Sequence, residues 1–123
     1  MNLTFNDIEN IHKKIRHNVK WTETTFTSSI SEKLGIDTFL KLENRQHTGA
    51  FKIRGSYSKL LSLSEAQKKA GVVAMSAGNH AQGLAYIANK MSIKSNIVMP
   101  EGTPFTKIRR TQNFGGNVII KGQ

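Results

Sequence analysis

Cysteine is absent from the 123 residues, so a disulfide framework and a thiolate zinc site are both excluded. No stretch approaches the ~20 apolar residues that a membrane span requires. The N-terminal run Met1 to Lys14 is polar and partly acidic, unlike a secretory signal, and a cytoplasmic protein is the expectation. Aromatic residues are few, and the single tryptophan is isolated. Nucleic-acid modules pair a basic stripe with a reading helix or with stacking aromatics, so specific nucleic-acid binding is not expected. Acidic residues are also scarce: 8 Asp and Glu face 18 Lys and Arg, a formal charge of +10. The basic residues are spread along the chain, with no arm or tail. Such a charge favours anionic ligands without specifying one. Internal repeats, low-complexity tracts and long linkers are missing as well. About 37% of the residues are hydrophobic, enough for a core in one domain or slightly more.

Several helices can be read in order. Asn6 or Asp7 can cap one running through Arg16, with Ile8, Ile11 and Ile15 on one face. Residues 18–26 read as irregular or extended. Thr27 or Ser28 opens a short helix to Leu34, stopped by Gly35. Thr38 to Leu42 alternates as a short strand, and 43–51 reads as a loop. Lys52 to Leu63 reads as a helix, and Ser64 with Gln67 forms a capping box for another, through Ala70. The rhythm then becomes regular. A strand over Val72 to Met75, a helix over His80 to Met91 and a strand over Lys94 to Met99 follow one another. Thr103 is placed as the cap and Pro104 as the first residue of a helix to Gln112. Asn117 to Ile120 is the last strand. This β-α-β-α-β order predicts an α/β fold, a parallel sheet in three layers with flanking helices.

Ligands of open α/β folds bind beyond the carboxyl ends of the strands. Ser76-Ala77-Gly78-Asn79 lies there. Its small residues permit close approach, and the following helix start offers free N–H groups to a carboxylate or phosphate. An ordinary strand-to-helix turn with Asn79 as cap has the same appearance. His80 fits either a ligand network or simple packing. No metal site is read: His12 and His17 are five apart, and His47 lies in another loop. Lys52 sits at a helix start, where a lysine is disfavoured by the dipole. The positive dipole end and Arg54 both favour a neutral amine, the form needed for nucleophilic chemistry. A solvated surface lysine is the plain alternative.

The segment Lys41 to Ser56, containing Thr48-Gly49-Ala50-Phe51-Lys52, resembles the cofactor-lysine motif of the threonine dehydratases. Gly71 to Gly83 (GVVAMSAGNHAQG) resembles their next motif, and Asn96 to Pro100 with Lys107 continues the match. The wider resemblance is to the fold-type-II pyridoxal-phosphate enzymes, which include serine racemases. It covers nearly the whole chain, most strongly 38–120. The resemblance implies roles by position. Lys52 would carry pyridoxal 5'-phosphate and act as general base at the substrate Cα. Phe51 would pack beside the pyridine ring. Ser76, Gly78 and Asn79 would hold the substrate carboxylate, and Asn79 would also bond the cofactor's ring oxygen. The chemistry implied is conversion of L-threonine to 2-oxobutanoate and ammonia in a full-length parent, with serine racemization as the alternative.

By the same resemblance, residues 1–52 begin a larger domain and 53–123 form a small α/β domain. The family's phosphate-binding glycine loop comes later in its sequences. The isolated chain is therefore expected to be inactive, to bind the cofactor weakly, and to self-associate through uncovered apolar surface. Two departures stand out. The Thr-Pro-Leu motif that usually precedes the second helix is replaced around Thr22-Glu23-Thr24, and Ala50 stands where many members carry serine.

Overall fold

The computed structural model describes residues 2–122. They form six helices: α1 (Phe5–Ile15), α2 (Ser28–Leu34), α3 (Lys52–Leu61), α4 (Glu65–Ala70), α5 (Asn79–Lys90) and α6 (Phe105–Asn113). The strands are β1 (Thr24–Phe26), β2 (Phe39–Lys41), β3 (Val72–Met75), β4 (Ser95–Met99) and β5 (Asn117–Ile120). The last three make a parallel sheet in the order β3-β4-β5. The crossover rhythm predicted this, because a helix of about three turns separates each strand from the next. The short strands β1 and β2 pair antiparallel around α2, a pairing not foreseen from the irregular 18–26 segment.

Local chemistry sets the boundaries. Ser64 Oγ accepts the Gln67 amide while Gln67 Oε1 accepts the Ser64 amide, so the expected capping box forms. Gly35 ends α2 at φ +69°, the left-handed value that glycine adopts at least cost. Two caps differ from expectation. Helix α1 is capped by Thr4, not by Asn6 or Asp7. Asp7 instead returns its carboxylate to the Thr4 amide, a box with the shorter acid in the Glu position. Thr103 does not cap α6. Pro104 takes that position, and the Thr103 hydroxyl is buried without a partner.

The core runs between α3, α5 and one face of the parallel sheet. It contains Ile53, Leu60, Ile87, Ile97 and Met99, all essentially inaccessible to water. Ile15 and Val19 join it from α1 and the segment after it. Each fully buried side chain of this size contributes roughly 1.5–3 kcal/mol relative to exposure. Successive crossovers move in the same direction, so α5 and α6 lie on one sheet face and pack on each other. The opposite face carries Val73, Met75 and Ile119, all exposed. The helices flank the parallel sheet, as the α/β reading expected. Among the described residues no helix is long and apolar enough to cross a membrane.

Candidate active site

Lys52 is the first residue of α3, and Phe51 immediately precedes the helix with αR backbone angles. Both side chains are exposed, Phe51 at 57%. The Lys52 ammonium lies 4.7 Å from the Phe51 ring centroid. They line a cavity of about 530 Å³ together with Gly55, Lys59, Ala74 and His80. A cavity of this size lies in the range that holds small-molecule ligands.

Gly83 brings α5 to that place. It lies in the second turn of α5, where an added Cβ would stand 3.0 Å from the Ile53 nitrogen and 3.2 Å from the Lys52 carbonyl carbon. A side chain here would press on the Lys52 peptide, and the neighbouring backbone would have to give by a few tenths of an ångström. A glycine inside a helical pattern costs about 1 kcal/mol relative to alanine, and that cost was the signal in the sequence.

The other predicted residues cluster at the head of α5. Ser76 follows β3, with its amide bonded to the Val98 carbonyl at 3.1 Å. Its hydroxyl oxygen accepts from the Gly78 and Ala81 amides, each at 3.3 Å. Ser76 thus makes the capping bonds that an ordinary turn would have drawn from Asn79. Gly78 precedes the helix in a bend, and Asn79 is exposed as its first residue. The Asn79 and His80 amides have no partner among the described residues, and both head a helix of 12 residues. Together they present two free donors at the positive end of the helix. Ser76, Gly78 and Asn79 do not line the 530 Å³ cavity; His80, next to Asn79, does.

The loop leading to Lys52 is firmly held, though its sequence has no period. It begins with a 3-10 turn over Glu43–Arg45. Gln46 is buried, and its side-chain amide pairs with the backbone of Lys20, accepting at 2.8 Å and donating at 3.1 Å. His47 stacks on Tyr86 of α5 at 5.1 Å. Burial, then the charges of Lys20 and Lys90, hold its imidazole below the ordinary value. Arg54 forks onto Glu43, with Nε and Nη2 donating at 2.9 and 2.7 Å. Thr22 donates its hydroxyl to the same carboxylate at 2.5 Å. Chiefly through the Arg54 bonds, the Glu43 carboxyl titrates at about 2 instead of 4.5. The expectation that Arg54 acts as a free positive neighbour of Lys52 is corrected, since its charge is compensated in place by Glu43. Thr22, from the segment that departs from Thr-Pro-Leu, is itself buried and keeps that region packed through this bond.

Comparison with known proteins gives a consistent picture. The family described as "Pyridoxal-phosphate dependent enzyme" matches residues 15–123. An L-threonine ammonia-lyase of Thermotoga maritima is 46% identical over 120 residues, which is 98% of this chain and 30% of that protein. The catabolic L-threonine dehydratase of Escherichia coli K12 is 38% identical over 98% of this chain and 36% of its own length. Among solved structures, maize serine racemase superposes with a TM-score of 0.92 at 32% identity, covering 100% of this chain and 37% of that one. The chain spans about a third of the length of these relatives.

Proposed function

Because the chain belongs to the pyridoxal-phosphate dependent enzymes, we propose that it is the lysine-bearing N-terminal part of an L-threonine ammonia-lyase, with residues 1–52 opening a large domain and 53–123 forming a small one. The observation that carries this reading is Lys52, at the rim of a cavity, one turn of packing away from an α5 head with free amides. The site's donor set suits pyridoxal 5'-phosphate. It offers an amine, an exposed aromatic face at 4.7 Å from that amine, and unpartnered amides for an anion.

In this reading Lys52 would hold the cofactor through its amine, Phe51 would pack beside it, and Asn79 would offer its amide to it. When bound, the cofactor supplies the electron sink. The chain's own residues do the rest. Ser76, Gly78 and Asn79 hold the substrate carboxylate, using the helix-start amides and the Ser76 hydroxyl proton. That grip orients the Cα–H bond toward Lys52. The Lys52 amine would take the α proton as general base. The β-hydroxyl of L-threonine would leave with a proton as water, and a water would then be taken up as the nitrogen departs as ammonia, so that the net products are 2-oxobutanoate and ammonia.

Lys52 and Phe51 stand open to water in this chain, whereas such chemistry depends on a closed, aligned site. Alone, the 123-residue chain is therefore expected to bind the cofactor weakly and not to turn over threonine. In the parent the partner is a small amino acid, the assembly a homo-oligomer and the location cytoplasmic. Serine racemization is the second reading, favoured by the TM-score of 0.92 to the maize enzyme. Assays of a full-length parent for 2-oxobutanoate and for D-serine separate the two. Neither product from a cofactor-loaded parent would sink both.

A further inference from the structure

A separate concavity of about 190 Å³ is lined by His12, Arg16, Lys20, Trp21, Lys41 and Arg54. It shares only Arg54 with the cavity beside Lys52. Three separated parts of the chain deliver the cations: Arg16 and Lys20 just after α1, Lys41 from β2 and Arg54 from α3. Like charges gathered on one concave wall repel, so the arrangement needs holding in place. Glu43 compensates Arg54. Lys41 donates to the Thr22 carbonyl and lies 5.0 Å from the Trp21 ring centroid. Arg16 Nε donates to the His17 ring at 3.3 Å. None of Arg16, Lys20 and Lys41 has a carboxylate within ion-pair distance among the described residues. Arg16 and Lys20, without a carboxylate at ion-pair distance, and Lys41, whose charge is partly met by Glu43, thus line one small hollow, with an indole as a flat wall that is 86% exposed.

We infer that this hollow is a binding site for a small dianion carrying a phosphoryl group, either phosphate itself or a compact phosphate monoester. A guanidinium and two ammonium groups match phosphate oxygens by charge-assisted hydrogen bonds. The hollow lies below the ~300 Å³ at which drug-sized ligands begin, so a phosphoryl group with few further atoms fits it. The inference does not depend on the role proposed for Lys52.

Trp21 is the sole tryptophan, so intrinsic emission reports on this wall alone. Orthophosphate is titrated into the full chain, with potassium chloride keeping the ionic strength constant. Phosphorus NMR line width serves as a second readout that does not need the indole to respond. A saturable response is expected, weakened about tenfold by Arg16→Gln or Lys20→Gln, each of which removes one charge-assisted bond. Lys69→Gln, an equal charge change on α4, should shift it less than twofold. Far-ultraviolet circular dichroism checks that each variant is folded. Orthophosphate acting no differently from chloride in both readouts would overturn the inference. So would Lys69→Gln weakening binding as much as Arg16→Gln, because the net charge of +10 would then account for it.

Discussion

Replacing Glu43 by glutamine should destabilise the chain at neutral pH by about 1.5 kcal/mol, and the deficit should close on acidification. The carboxyl titrates at about 2 when folded and at its ordinary 4.5 when unfolded. At about 1.4 kcal/mol per pH unit, that difference caps its contribution near 3.5 kcal/mol. Arg54 is 25% exposed, so water and salt screen the pair, and roughly half the cap is a reasonable expectation. The folded value is the depressed one, so the folded state holds the charge more strongly. Its stabilisation is complete above pH 4.5 and is lost as pH falls toward 2. Glutamine keeps the shape and an acceptor oxygen but has no charge to lose. Urea unfolding of both proteins between pH 7 and pH 2.5 measures the gap directly. Equal midpoints at pH 7, or a gap that stays constant to pH 2.5, would refute the reasoning. The same pair ties the 3-10 turn to the first turn of α3, so the variant should also loosen the position of Lys52.

The remaining predictions concern packing, an unpaired hydroxyl and a histidine. Gly83→Ala would push a methyl group against the Ile53 nitrogen and the Lys52 carbonyl carbon; thermal unfolding should show a loss of about 1–3 kcal/mol. Thr103→Val removes a buried hydroxyl without a partner, so the same measurement should show no loss, or a gain of up to about 1 kcal/mol. His47 has a depressed folded value, so its neutral form stabilises the fold above the unfolded value of 6.5, and that contribution falls away below it. His47→Phe keeps an aromatic partner for Tyr86, and its stability should stay flat between pH 7 and pH 5.5 where the parent chain's declines.

Much of the fold was legible because it is local. Ser64 and Gln67 lie one turn apart, and the strands from Val72 onward alternate with helices at crossover spacing. The Thr4–Asp7 box escaped because aspartate replaces the commoner Glu or Gln at its closing position. Thr103 looked like a cap but faces the interior, a fact decided by packing. At the candidate site, the motif segments were readable, and so was Lys52 at a helix start. What held them was not. Glu43 meets Arg54 across 11 residues, Gln46 meets Lys20 across 26, and His47 meets Tyr86 across 39. None of these pairings has a period. Ser76 took the capping bonds that the sequence offered to Asn79, because the chain bends back at Gly78.

The central claim is that Lys52 is the cofactor lysine. Borohydride reduction of the protein with pyridoxal 5'-phosphate, followed by peptide mapping, tests it most directly. A full-length parent is used beside the 123-residue chain, each with its Lys52→Ala variant. In the parent, the label is expected on the peptide containing Lys52 and should be lost in the variant. In the short chain, labelling at Lys52 should need far more cofactor. A label on another lysine of the parent, or equal labelling after Lys52→Ala, would contradict the account.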